Sequence, residues 1–208
     1  MSGIVLALAG ATYGGIPIIG SALGGGYFAG QISTAGNGIA DYNLVVGPLS
    51  SASTTSSFRN TNTGSDPTSL IDGPTNSTTM NDGLHPAVTF CKALTVGGFT
   101  DWYSPALNEI DVIYFNLKPT TTSNQTSYGI NANSVPKRTS NYTAGNPAQT
   151  TATDFQSGGT QAYANSYNWC STGVNTQFAY QKGFSSGDNF GQYKTSGGNI
   201  RAIRRVPV

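Results

Sequence analysis

"GGFTDWYSPALNEIDVIYFNL", residues 97–117, is the most firmly specified stretch of this chain and governs how the rest is read. Its glycine pair stops whatever precedes it. Ser104 is a good helix N-cap, Pro105 suits a first helical position, and no breaker follows until Pro119. Leu107, Ile110, Tyr114 and Leu117 recur on one stripe with Ile113 beside it, while Asn108, Asp111 and Asn116 fall elsewhere. A helix with one apolar stripe must bury it against something. Few other helices are signalled, so the spacing predicts a helix over 105–117 packed on a sheet.

Around that helix the chain is polar but hardly charged. Charged residues make up 9% of 208, against about a quarter in an ordinary soluble domain. Glycine (27), tyrosine (11) and phenylalanine (9) are plentiful. Disordered chains show the reverse, with few aromatics and high net charge. Many short strands joined by Gly and Ser/Thr/Asn turns fit this composition, so an α+β domain is expected. A net charge of +1 gives no field that would gather nucleic acid or an anionic membrane.

The opening "MSGIVLALAGATYGGIPIIGSALGGGYFAGQIS" has no charged side chain before Asp41. It lacks the basic start of a signal peptide, and its glycines and Pro17 make a poor spanning helix. The expectation is an apolar docking arm over 1–22, not membrane-spanning, ahead of a domain over 23–208. Ile4, Val5, Leu6, Leu8, Ile16, Ile18 and Ile19 would be its assembly contacts, buried against other chains and further copies of this one. Left free, such a terminus would be an aggregation patch.

Along the domain, 24–33 and 41–49 read as strands joined by a "TAGNG" turn, and 50–80 as a long Ser/Thr/Asn loop with one short strand at most. A helix is expected over 85–94, with Pro86 in its first turn and Ala87, Phe90, Cys91 and Leu94 on one face. Residues 118–168 read as an ordered insertion. Residues 167–172, 178–184 and 199–208 read as strands, the last with Ile200 and Ala202 inward and Arg201 outward.

The order of these pieces resembles the domain family named for the C-terminal region of the Legionella collagen-like adhesin. The resemblance rests on "GGFTDWYSPALNEI", the aromatic-then-Ser/Thr strand "NWCST" and the closing "IRAIRRV". It implies a C-type-lectin-like fold, related to that of formylglycine-generating enzymes: a twisted antiparallel sheet, two helices, and first and last strands paired. It further implies that Asp101, Trp102, Pro105 and Glu109 build the helix start and core packing, and that the chain belongs to a phage virion. The chain departs from the family pattern at Tyr103-Ser104, Cys170 and Gly173, so the family's ligand does not transfer.

Catalytic chemistry is hard to assemble from these residues. Glu109 is the sole glutamate, the aspartates sit mostly in turns such as "SDP" and "NDG", and His85 is the one histidine, placed in a turn before a helix. Cys91 and Cys170 have no CxxC spacing, so no metal or other cofactor is expected, and a reducing cytosol disfavours a bridge between them. Aromatics interleaved with Ser, Gly, Asn and Gln from 163 to 193 resemble the palette of binding loops and suit an uncharged glycan. Trp169, Phe178 and Phe184 read as core. Tyr163, Phe190 and Tyr193 are open between core and surface, and with Asn189 and Asn199 they are the candidate ligand residues.

Two functions are therefore expected. One is a tail or fibre component of a bacteriophage virion that displays an adhesin domain and binds a host-surface glycan. The other is a capsid decoration or assembly protein without a ligand. The lectin-like layout also predicts that "GGYFAGQIS" runs antiparallel to "IRAIRRV", with Arg201, Arg204 and Arg205 solvated or at the docking interface.

Overall fold

The computed structural model describes residues 12–13 and 15–208; Ile4, Val5, Leu6 and Leu8 lie outside the described residues. The domain is α+β, built on two five-stranded sheets. The first runs β12 (Ile203–Pro207), β5 (Tyr42–Val46), β4 (Gly26–Ile32) and β3 (Ala22–Leu23), with β7 (Ser134–Val135) pairing further along β4. The second runs β10 (Asn189–Tyr193), β9 (Phe178–Gly183), β8 (Tyr167–Gly173), β11 (Gly197–Arg201) and β6 (Ser53–Ser57). Its pairings are antiparallel except β8 with β11. Residues Thr12–Tyr13 (β1) and Ile16–Pro17 (β2) form a small hairpin of their own.

The decisive helix, α4, spans Leu107–Leu117. It starts two residues later than expected because Ala106 is extended (φ −73, ψ 166). Ser104 is not its cap: the backbone N–H of Ser104 donates to Ser77 Oγ at 3.1 Å. The orphan N–H groups of the first turn are met from elsewhere. Glu109 Oε2 accepts from Ala106 N–H at 2.8 Å, Thr172 Oγ1 from Leu107 N–H at 3.1 Å, and the Leu70 carbonyl from Asn108 N–H at 2.8 Å. Only the first of these partners could be read in the local sequence.

Leu107, Ile110, Ile113, Tyr114 and Leu117 are all buried in one core, as the stripe predicts. Asp111 and Val112 are buried too, so α4 is wrapped on most sides rather than resting on a single surface. It packs against β4, β7, β8 and β9. Its approach to β4 is close enough to need glycine: at Gly30 (φ +124) an added Cβ would lie 2.3 Å from Asn116 Nδ2. There a β-bulge between Phe28 and Gly30 frees the Ala29 carbonyl to accept from Asn116 Nδ2 at 2.9 Å.

A second core gathers Val45, Phe58, Met80, Trp102, Trp169, Ala179 and Ile200 under α3 (Pro86–Lys92). Successive residues of β8 serve the two cores in turn, Trp169 the second and Cys170 the first. Both cysteines are free, and they lie in different cores. Residues 50–80 are more regular than a long loop: α1 (Leu49–Ala52), β6 and α2 (Gly73–Thr79) all fall there. The start of α2 follows local rules, with Asp72 Oδ1 accepting from Thr75 N–H at 3.2 Å and Pro74 in the first turn.

Four expectations about the ends of the domain are corrected. The stretch 199–208 is two strands in two sheets, β11 and β12, joined at Ala202. Strand β12 does not pair with β4. The 33–41 connection folds β5 back onto β4 first, so β12 takes the free edge of β5, with Ile203 opposite Val46 and Pro207 opposite Tyr42. Arg201 and Arg204 are buried and Arg205 is partly so; none is a free surface cation. Within the expected arm Ile16 and Ile18 are half exposed, but Ile19 packs against the first core instead of another chain and Ala22 pairs with Tyr27 of β4.

Because α4 is enclosed, Ile110→Ala should cost about 2–5 kcal/mol of stability, the range for a buried Ile or Leu truncation. A denaturant titration reads this directly; a loss under about 0.5 kcal/mol, as at a surface site, would refute the enclosed helix.

Candidate functional site

An open groove of about 340 Å³ crosses the second sheet and touches all five of its strands. Its lining is Thr55 from β6, Ser166 and Tyr167 at the start of β8, Gln181 from β9, Gln192 from β10, and Gly197, Gly198 and Asn199 from β11. No charged side chain is among them. Register explains the grouping. Tyr167 and Trp169 lie opposite Gly183 and Gln181, and Gln181 lies opposite Phe190, so these side chains share one face. Strands β8 and β11 are parallel and matched only at Asn168 and Asn199, and the groove runs along that seam.

Asn199, whose partner Asn168 alternates with Tyr167 and Trp169, enters the groove from the other side of the sheet. Its Nδ2 donates to Ser166 Oγ at 2.7 Å and its Oδ1 accepts from Thr55 Oγ1 at 3.1 Å. Beneath the lining lies buried Trp169, whose Nε1 donates to the Ser56 carbonyl at 3.0 Å. Gly198 permits that close packing, since an added Cβ would meet Gln181 Nε2 at 2.3 Å and Trp169 Nε1 at 2.6 Å. The wall is aromatic: Tyr167 (38% exposed) tilts against Phe190 (44% exposed) with centroids 5.5 Å apart. Tyr167 donates its hydroxyl to Asp188 Oδ2 at 2.7 Å, and that bond, aided by burial, pushes its pKa up to about 12. Amides, hydroxyls and a partly exposed ring pair can hydrogen-bond and stack; they cannot neutralise a charged ligand.

The charges that this surface lacks are inside. Asp111 accepts from Lys182 Nζ at 2.7 Å, from Tyr142 Oη at 2.5 Å and from Asn131 Nδ2 at 2.9 Å, and pairs with Arg138. Burial works against ionisation, but Lys182 and Arg138 hold its carboxyl below the usual carboxylate range. Glu109, fully buried, accepts from Tyr103 Oη at 2.6 Å and Arg205 Nε at 2.8 Å. Asp101, itself exposed, pairs with buried Arg204 Nε at 2.7 Å. A third internal centre joins Asp66 to Arg59 at 2.5 Å, to Lys194 at 2.5 Å and to His85 Nε2 at 2.9 Å, with Asp82 on the other imidazole nitrogen at 2.8 Å.

The five expected ligand residues separate. Asn199 lines the groove, and Phe190 flanks it through Tyr167. Tyr193 is exposed and packs on Phe178 at 4.5 Å beyond the groove. Asn189 turns to the opposite face of the sheet, where it accepts from Lys182. Tyr163 is a core ring, 4% exposed and stacked on Phe184 at 3.9 Å under the Arg201 guanidinium. Thr55, Gln181 and Gln192 were not singled out in the sequence, and Tyr167 only as one of the interleaved aromatics. Their grouping depends on cross-strand register, and only the alternation within each strand signals it.

Trp102, Pro105 and Glu109 lie in the interior at the start of α4, whereas Asp101 is exposed on the approach to it. Trp102 is fully buried with Nε1 donating to the carbonyls of Val96 and Phe99 at 3.3 and 3.1 Å, Pro105 is buried, and both acids are ion-paired. Among the described residues no group of His, Cys, Asp and Glu is arranged to hold a metal, and no helix is long and apolar enough to cross a membrane. Comparisons with family models, curated proteins and solved structures give no match for this chain.

His85 gives the domain a pH dependence. Burial opposes its charge, but Asp66 and Asp82 raise its pKa above the ordinary imidazole value. Arg59 and Lys194 share Asp66, and the Phe58 ring meets the imidazole edge-on at 5.8 Å. A raised folded pKa gives stability that is complete below the unfolded value of about 6.5 and is lost as pH rises through the folded one. His85 is the one histidine, and burial pushes both thiols up. The melting temperature should therefore fall from pH 6 towards pH 9 (about three units across the imidazole range), and His85→Gln should flatten the slope. An unchanged slope in that variant would reject the assignment.

Proposed function

We propose that this chain is a non-catalytic display domain of a bacteriophage virion, a tail or fibre component, whose sheet groove recognises an uncharged glycan on the host surface. The observation that carries the reading is the composition of the groove. Two glutamines, an asparagine, a threonine and a serine surround an accessible Tyr167–Phe190 pair, with no charge in the lining. A sugar presents hydroxyls to such amides and a C–H face to such a ring. The groove is shallow and built on strands, so its side chains are held by the sheet rather than by a mobile loop.

The virion setting rests on the resemblance of "GGFTDWYSPALNEI", "NWCST" and "IRAIRRV" to the adhesin-domain family. We read the layout as C-type-lectin-like with one amendment: the N-terminal hairpin takes the last strand through its second strand, β5, rather than its first. The apolar segment through Ile18 is the part we assign to docking on other virion proteins and on further copies of this chain, since Ile19 packs into the first core and Ala22 joins β3. Exposed Ile16 and Ile18 support that assignment.

Binding to immobilised neutral oligosaccharides and to anionic ones tests the reading. Retention of neutral glycans is expected, with Tyr167→Ala and Gln192→Ala each weakening it about tenfold, the equivalent of ~1.4 kcal/mol. Binding confined to anionic glycans, or unaffected by both substitutions, would refute the groove as the site.

A further inference from the structure

We propose that Lys182 and Asn189 close an intramolecular isopeptide bond across the β9–β10 hairpin, with Asp111 as the proton-transfer group. The two residues are direct cross-strand partners in the register of that hairpin and share the face turned towards α4. Lys182 is fully buried, and its Nζ lies 3.1 Å from Asn189 Oδ1 and 2.7 Å from Asp111 Oδ1. The rings of Tyr114 and Tyr142 stand 5.1 and 5.3 Å from the same nitrogen. A nucleophile, an amide electrophile and a carboxylate are thus held together in a water-poor, aromatic enclosure. Proximity of this kind replaces a bimolecular encounter with a unimolecular one.

The chemistry balances without any co-reactant. Asp111 takes one proton from the Lys182 ammonium, and the freed lone pair attacks Asn189 Cγ to form the new C–N bond. As the Cγ–Nδ2 bond breaks, Asp111 delivers its proton to the departing nitrogen. A second proton lost from Nζ follows, so ammonium leaves and the Asp111 carboxylate is restored. Burial lowers the pKa of Lys182 against the pull of Asp111, which makes the free amine more accessible. After the bond forms, Asp111 keeps Arg138 and Tyr142 as partners. A cavity of about 230 Å³, lined by both Asp111 and Asn189 and bordered by exposed Ile130, gives the ammonium a way out.

The fold supplies its own control. Lys118 is equally enclosed (1% exposed) and its Nζ lies 2.8 Å from Asn124 Oδ1. Its other partners are the carbonyls of Thr122 and Pro147, not a carboxylate. With no group to take the proton, that pair stays unlinked. The consequence of the Lys182–Asn189 bond is mechanical: β10, the edge strand that carries Phe190 and Gln192, is fastened covalently to β9. The inference does not depend on what the groove binds.

Intact-mass measurement of the full chain after incubation at neutral pH, followed by trypsin digestion and fragmentation, tests it. The mass should fall by one ammonia. Trypsin should spare Lys182 and leave 139–194 as one fragment with the linkage between Lys182 and Asn189, while Lys118 and Asn124 stay unmodified. An unshifted mass overturns the proposal. So does a lost ammonia without a cross-link, which marks a succinimide, or a lost water with Lys182 joined to Asp111. Asp111→Asn should restore the unshifted mass and cleavage after Lys182; should that variant not fold, the mass of the unaltered chain decides.

Discussion

Two acids on one helix organise this protein. Glu109 and Asp111 are two positions apart on α4, so they point in different directions, and each reaches a different sheet. Glu109 takes Arg205 from β12 of the first sheet; Asp111 takes Lys182 from β9 of the second. A buried carboxylate without a partner costs several kcal/mol, so neither contact can be given up while the helix stays enclosed. The helix, the two sheets and the tail strand are therefore fixed relative to one another by charge as well as by packing. Gly73 shows how tight the first contact is, since an added Cβ would come within 2.2 Å of Glu109 Oε2.

The tail makes the same connection through the backbone. Strand β11 belongs to the second sheet and β12 to the first, and Ala202 is the residue between them. Its N–H donates to the Ala52 carbonyl at 2.8 Å and its carbonyl accepts from Gly47 N–H at 2.9 Å. Next to it, Ile203 and Tyr103 exchange both backbone hydrogen bonds at 2.9 Å, tying the tail to the segment that leads into α4. The last residues of the chain thus complete both sheets, and their contacts have the highest sequence separation in the fold.

The chemistry of the surface follows from this internal use of charge. With so few ionisable groups in the sequence and most of the cations committed to buried partners, the groove is left with amides, hydroxyls and rings. That explains how the groove can be well formed with almost no electrostatic field. It also explains the two buried lysines beside asparagine amides: a lysine without surface work fills interior volume with its stem and must find acceptors for its head.

By itself the sequence determined what depends on near neighbours. The stripe of α4, the helix over 86–92, the hairpin of β4 and β5, and the core role of Trp169 are all legible, because periodicity and turn chemistry act over a few residues. Asp72 before Pro74 signals α2 equally well, although a Ser/Thr/Asn-rich composition masks it. Only the tertiary structure decided the rest. Thr172 and Leu70 cap α4 from distant segments, Asp111 meets Lys182 across 71 residues, and Arg201 turns inward to the Gly47 carbonyl across 154. The groove needs the register of five strands before Tyr167, Gln181 and Gln192 share a face and Asn199 meets them at the β8–β11 seam. A single residue's type says whether it can be charged or polar; which partner removes the cost of burying it is a property of the assembled fold.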